Sequence, residues 1–283
     1  MALDRVDTNT RLQQLVPIGL TIVILVVLIA ALYGFIGLLN TFTTEKLSTS
    51  ILLIDVLVGA TIYLKTAIDF AIFMGRLMGS NPGWRNRVAI EAGTALGNFL
   101  GTIAILTLWV FVKDVTILLG FMIFLAALVL FELAQAGVIH FSQWTAKGRT
   151  YKLLHDIVAV PLRAITNITS PLLHPVMPNM KQRLRGVKFT AWRGLLYFSF
   201  TVPFVLGLDD FAGYVPLFNV IRIFSFAIGV FAAHTLLNIA LFANPQLTTR
   251  AVKNPWVSWL GTIAFIAIAL FGFVEIYHLF AAG

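Results

Sequence analysis

The apolar positions of this chain fall in long unbroken runs, not in the alternating or every-third-and-fourth patterns that mark half-buried strands and helices. The first run extends from Leu15 to Leu39, and others cover about 51–77, 87–112, 115–140, 191–217, 218–242 and 256–280. Each reaches the roughly 20 residues that a helix needs to cross a bilayer, and none shows the alternation of a barrel strand. The pattern predicts an all-α polytopic membrane protein with seven transmembrane helices. The first run is of full spanning length, whereas a signal peptide has a short apolar core, so it is expected to be a retained membrane helix.

Composition agrees: 59% of the 283 residues are hydrophobic and only 11% are charged, with a mean hydropathy of +0.92. Such a chain is too apolar to cover a soluble domain with polar groups. It contains no cysteine, which excludes disulfides, thiolate metal sites and a cysteine nucleophile. The net charge of +8 would suggest a nucleic-acid partner in a soluble protein. Its distribution points elsewhere. With the N-terminus inside, fifteen Lys and Arg fall in inside segments and helix ends, while the outside loops hold only Lys46 and Lys113. The positive-inside rule then predicts a cytoplasmic N-terminus, an outside C-terminus and an inner (cell) membrane location, with lipid rather than nucleic acid as the large partner. All six tryptophans, Trp84, Trp109, Trp144, Trp192, Trp256 and Trp259, lie at or near predicted helix ends, where aromatic belts form. The composition is also compatible with a homo-oligomer.

Four segments follow from this pattern: 1–50 with the first membrane helix, a three-helix unit at 51–140, a basic cytoplasmic linker at 141–190, and a second three-helix unit at 191–283. The linker is punctuated by Pro161, Pro171, Pro175 and Pro178. It is expected to form short amphipathic helices on the membrane surface. The two triplets correspond in order. Asp69 and Asp209 lie in their first helices (209 − 69 = 140), small-residue ridges starting at Gly93 and Ser225 in their second (225 − 93 = 132), and Gly120 and Gly261 in their third (261 − 120 = 141). Three crossings per unit invert the second relative to the first, the two-repeat plan of secondary transporters that bind substrate near the midplane.

The candidate chemistry lies in the acids of these spans, because an acid inside a membrane helix costs about 2.5–3.5 kcal/mol on insertion scales and marks a functional site by default. Asp69 shares a face with Thr66 and stands four residues from Lys65, which is either a counter-ion that a transported cation displaces or a structural neutraliser. Glu91, Thr94, Asn98 and Thr102 form a polar stripe at helical spacing, and Arg222, His234 and Asn238 a looser one. Arg222 is a candidate partner for Asp209 or Asp210. Adjacent carboxylates suit a hard divalent cation or a shared proton, so Asp69, Asp209 and Asp210 are the expected metal ligands, with Thr66, Glu91 and Asn98 beside them. Glu132 and Glu275, near helix ends, and the isolated His155 and His174 are expected to be interfacial. No His-Glu-x-x-His, Gly-x-Ser-x-Gly or Gly-rich phosphate loop is present, so neither an enzyme nor a bound cofactor is expected.

Thr66-Ala67-Ile68-Asp69-Phe70 resembles the Thr-Asn-x-Asp-Asp motif of the cadmium-resistance transporter family. Asp209-Asp210-Phe211-Ala212-Gly213-Tyr214-Val215-Pro216 resembles that family's Asp-Asn/Asp-x-x-x-Tyr-x-Pro motif. The family belongs to the lysine-exporter superfamily, which includes TerC-like and manganese- or calcium-exporting members. The resemblance covers about 52–142 and 191–281 and implies two three-helix repeats with acidic motifs in their first helices. Ala67 and Phe70 replace an amide and a carboxylate, so the first half-site is poorer in ligands. Cadmium is thiophilic and this chain has no cysteine, which favours manganese, calcium or magnesium. The expected function is secondary export of a divalent cation, in exchange for protons. The alternatives are an amino-acid or other small-solute exporter, and a non-transporting membrane protein that binds a partner through its cytoplasmic loop.

Overall fold

The computed structural model describes residues 10–43, 45–66, 68–145, 148–173, 192–212, 214–252 and 254–281. Its regular elements are all helical: α1 Thr10–Phe42, α2 Leu53–Thr66, α3 Ile68–Ser80, α4 Trp84–Val112, α5 Thr116–Ser142, α6 Arg149–Leu173, α7 Trp192–Ala212, α8 Ile223–Ala243, α9 Pro245–Val252 and α10 Pro255–Ala281, with a 3-10 turn at Val215–Leu217. Among the described residues, five helical segments are long and apolar enough to cross a membrane: Gln14–Phe42, Trp84–Val112, Thr116–Ser142, Ile223–Ala243 and Ser258–Ala281. Helices are the expected solution in hydrocarbon, where each must satisfy its own backbone polar groups. The chain is a helical, multi-pass membrane protein.

The expected span 51–77 is helical on both sides of residue 67, as α2 and α3. Two features differ from those read in the sequence. The expected span from 218 begins only at Ile223, because residues 214–221 form tight turns in which Leu217 N–H donates to Tyr214 O at 2.9 Å and Val220 N–H to Leu217 O at 2.9 Å. Arg222 is therefore the exposed N-cap of α8 and not a residue within a span. Among the described residues of the linker, one helix, α6, runs through Pro161 and Pro171 where shorter helices were expected; Pro175 and Pro178 lie outside the described residues. Proline removes a helical hydrogen bond, and both prolines lie on exposed positions, away from the packed face. The opposite face, with Val158, Leu162, Thr166 and Thr169, is buried and holds the helix in place.

The helices form two compact units, each drawing on both halves of the chain. Unit 1 takes its described residues from 1–104, 180–208 and 222–251. Its central helix is α8, whose Phe226, Val230, Phe231 and Leu241 are almost completely enclosed. Helix α2 runs parallel to α8, with Leu52 N–H donating to Ser225 Oγ at 2.9 Å near the start of both and Tyr63 meeting His234 further along. Helix α1 runs antiparallel to it, joined by Gln14 Nε2 to Ala243 O at 3.0 Å and by Tyr33 against Phe224. Glycines set the closest approaches. A Cβ on Gly229 would collide with Val56 O and stand 2.9 Å from Ala60 N; one on Gly97 of α4 would collide with Phe200 O of α7 and stand 3.1 Å from Phe204 N. Small residues let membrane helices approach to backbone contact in this way.

Unit 2 takes its described residues from 105–179, 209–221 and 252–283. Helices α5 and α10 run antiparallel. Gly120 faces Phe280, Phe131 stacks on Phe273, and Ser258 Oγ donates to Gly137 O at 3.0 Å. Pro216 of the 3-10 turn rests on Gly272. Helix α6 packs on α5 through Tyr151 against Phe141 and Thr169 Oγ1 to Glu132 Oε1 at 3.4 Å.

Candidate functional site: a buried polar chain in unit 1

Glu91, Thr94, Asn98 and Thr102 follow one another at spacings of three and four along α4 and share a face. They are 0%, 0%, 6% and 3% exposed, so the stripe read in the sequence points into protein rather than lipid. The two threonines satisfy themselves within the helix: Thr94 Oγ1 donates to Glu91 O at 3.1 Å and Thr102 Oγ1 to Asn98 O at 2.8 Å. Glu91 reaches outward instead. Its Oε2 accepts a 2.7 Å hydrogen bond from Asn238 Nδ2 of α8.

From Asn238 the chain continues across the unit. Asn238 Nδ2 also stands 2.9 Å from His234 Nε2, one turn earlier on α8, and His234 Nδ1 stands 2.7 Å from Tyr63 OH of α2. An amide nitrogen only donates, so in this arrangement Nε2 accepts and the ring proton sits on Nδ1, facing the tyrosine oxygen. The Tyr63 ring meets the imidazole edge-on at 5.7 Å and Phe70 of α3 lies tilted against it at 5.5 Å, closing the site with aromatic surface. Thr21 of α1, 1% exposed, lies beside the same carboxylate, but its hydroxyl proton is donated to Pro17 O at 2.8 Å. A hydrogen-bonded chain from Tyr63 of α2 through His234 and Asn238 of α8 thus ends on the Glu91 carboxylate of α4.

Two oxygens in this chain are left over. Glu91 Oε1 and Asn238 Oδ1, both buried, have no hydrogen-bond partner among the described residues. Each belongs to a side chain already tied by its other polar atom, so both lie beside the Glu91–Asn238 hydrogen bond. Acceptor oxygens without donors are what a cation or a water molecule would satisfy. Ser199 Oγ of α7 and Asn98 Nδ2 are likewise buried without a partner. Arg87, one turn before Glu91, donates from Nη1 to Phe242 O at 3.3 Å.

The remaining candidates fall elsewhere. The side chains of Lys65, Thr66, Asp69, Asp209 and Asp210 lie outside the described residues, as does His174. Arg222, suggested as a partner for Asp209 or Asp210, has other contacts: its guanidinium donates to Ser50 Oγ at 2.8 Å and its backbone N–H to Asp55 Oδ2 at 3.0 Å. This ties the start of α8 to the start of α2, a junction completed by Ser225 Oγ on Ser50 O at 3.0 Å. Glu275 accepts from Asn219 at 2.9 Å, and His155 pairs with the neighbouring Asp156 at 2.9 Å. Among the described residues, no three His, Cys, Asp or Glu side chains are grouped as a metal site.

Sequence reasoning missed Tyr63, Thr21 and Asp55. Tyr63 and Thr21 are single polar groups inside apolar runs, with no periodicity to flag them. Asp55 is 5% exposed in the first turn of α2, where an acid also suits the helix dipole. Compared with models of known families, with curated proteins and with solved structures, the chain matches none.

Proposed function

We propose that the chain is a secondary transporter, not an enzyme, and that it exports a divalent cation in exchange for protons along a path that includes the buried polar chain of unit 1. One observation carries the reading: Glu91, completely enclosed within a spanning helix, is held at one oxygen by Asn238 while its other oxygen and that of Asn238 are left without donors. A carboxylate costs several kcal/mol to enclose in a membrane protein, a cost that function rather than packing accounts for. Oxygen donors and the absence of cysteine favour manganese, calcium or magnesium as cargo. Asp69, Asp209 and Asp210 enter the proposed site on their sequence motif alone.

The seven-span plan with two inverted repeats, a cytoplasmic N-terminus and an inner-membrane location belong to the same proposal. Its support is geometric. Val56 and Ala60 contact Gly229 through the same atoms by which Phe200 and Phe204 contact Gly97. The two glycines are separated by the same interval as Gly93 and Ser225 (229 − 97 = 132). Parallel pairs α2/α8 and α4/α7, with an antiparallel α5/α10, are the directions that inversion requires. Matching the two contact patterns sets Val56 of α2 in correspondence with Phe200 of α7 at a separation of 200 − 56 = 144, one helical turn from the 140 that aligns Asp69 with Asp209. In that register position 209 corresponds to Lys65, so the two halves differ in charge at equivalent places.

The test is uptake into proteoliposomes with a panel of manganese, calcium, magnesium and amino acids, with and without a pH gradient. Divalent cation movement that Glu91→Gln reduces roughly tenfold or more, the equivalent of a lost charge-assisted hydrogen bond, is the expected result. Wild-type transport by Glu91→Gln would remove Glu91 from the path, and movement of no panel solute would overturn the transporter reading.

A further inference from the structure

Helix α6 has three faces where an ordinary amphipathic helix has two. At about 3.6 residues per turn, Val158, Leu162, Thr166 and Thr169 fall on one side and are buried against unit 2. Leu153, Ile157, Val160, Ala164 and Ile168 fall on another and are exposed, the four larger ones by 60%, 62%, 66% and 74%. Between them runs a polar edge with Arg149, Lys152 and Arg163 exposed; its one acid, Asp156, is engaged with His155. Water would not stabilise the second face, and protein does not cover it in unit 2.

Its attitude supplies the occupant. Tyr151 meets Phe141 near the end of α5, and Thr169 meets Glu132, nine residues back along α5 but eighteen on along α6. At about 1.5 Å per residue, α6 moves roughly 13 Å along α5 while covering roughly 27 Å of its own length. It therefore slants beside a membrane-spanning helix. At its first turns stand Trp256 against Tyr151, and Trp259 Nε1 on Leu154 O at 3.4 Å, tryptophans of the kind that mark a bilayer interface.

We propose that α6 is a lipid-binding element, inserted obliquely into the bilayer. Its exposed apolar stripe lies among acyl chains, and Arg149, Lys152 and Arg163 bind anionic phospholipid headgroups. Apolar burial provides the depth and basic side chains provide the preference for negative lipid. The slant places Ile168 deeper than Leu153. This site is independent of the transport path in unit 1.

The absence of native cysteine makes the test direct. Single-cysteine variants of the full chain, Leu153→Cys, Ile157→Cys, Ile168→Cys and Asn167→Cys, carry a nitroxide in vesicles of phosphatidylethanolamine with phosphatidylglycerol, or of phosphatidylcholine alone. The three stripe positions should be open to oxygen and shielded from a nickel chelate, with Ile168→Cys deepest and Asn167→Cys the most accessible to nickel. Label at 153 should sit deeper with phosphatidylglycerol, and Lys152→Glu with Arg163→Glu should abolish that shift. Nickel access to the stripe equal to that of position 167 would overturn lipid insertion and assign the face to a protein partner. A shift that is absent in the parent, or that survives the charge reversals, would overturn anionic headgroup recognition.

Discussion

Unit 1 and unit 2 bury polar groups in different ways. In unit 2 single atoms, Trp109 Nε1, Gln135 Oε1 and His155 Nε2, are buried without a hydrogen-bond partner among the described residues, and Thr169 reaches Glu132 Oε1. Three other buried hydroxyls there are spent on backbone carbonyls: Ser258 on Gly137 O, Thr262 on Ser258 O and Thr166 on Leu162 O. Each is small, neutral and satisfied, and two of them fasten or line the α5/α10 contact. In unit 1 the buried groups include a carboxylate, an imidazole, an amide and a phenol that bond to one another across three helices and leave acceptors open. The first arrangement is a way to pack membrane helices, since satisfied hydroxyls cost little. The second is expensive for packing alone, because a low-dielectric interior penalises each unmatched polar atom. The difference is that unit 1 gathers its polar groups into one bonded network, and the proposed cation path is placed there for that reason.

Glycine contacts provide the strongest way to break this contrast. Those of unit 1 meet backbone: Gly229 meets Val56 O and Gly97 meets Phe200 O. Those of unit 2 meet side chains: Gly120 lies against the Phe280 ring, which can turn, and Gly272 against Pro216 Cγ at a looser 3.2 Å. A methyl group at Gly229 or Gly97 must push two helices apart. Gly229→Ala and Gly97→Ala should each cost about 3 kcal/mol or more, the upper end of overpacking, whereas Gly120→Ala and Gly272→Ala should cost about 1 kcal/mol or less. Thermal unfolding of the purified protein in detergent, followed by loss of the monodisperse species, measures the series. Equal losses in both units would mean that unit 1 has no tighter framework than unit 2.

The polar chain gives the next largest effect. Glu91→Ala leaves the Asn238 amide nitrogen only its His234 contact, and Asn238→Ala strands the Glu91 carboxylate; each should cost about 1–3 kcal/mol. In the double variant neither partner is left waiting, so the losses should fall short of additive by about 0.5–3 kcal/mol. Additive losses would show that the 2.7 Å contact does not couple the two side chains.

Much of this organisation was legible in the sequence, and the illegible parts share a cause. Long apolar runs announce α1, α4, α5, α8 and α10, because hydrocarbon solvent demands apolar side chains over a fixed length. The Glu91–Asn98 stripe was visible because helical spacing alone puts those residues on one face. What spacing does not contain is the partner. Glu91 finds Asn238, and Tyr63 finds His234, across well over a hundred intervening residues. Arg222 was placed within a span by its apolar neighbours, but turns at 214–221 move it to a helix cap. Prolines in the linker argued for several short helices; α6 instead keeps its course because a packed face outweighs two lost backbone hydrogen bonds. In each case a tertiary contact overrode a local signal.

The smallest effect sharpens the contrast from the other side. Ser258 Oγ donates to Gly137 O at 3.0 Å, and Thr262 Oγ1 lies 2.9 Å from Ser258 O in its own helix and 3.5 Å from Ala134 O of α5. Removing either hydroxyl leaves a carbonyl that still accepts its helical hydrogen bond, so no donor or charge is stranded. Ser258→Ala and Thr262→Val should therefore cost only about 0.6 kcal/mol each, the mean for hydrogen bonds between membrane helices, and leave transport unchanged. The same melting assay with the same uptake assay reads both. If Ser258→Ala abolished transport while the protein stayed folded, the α5/α10 contact would be part of the moving machinery.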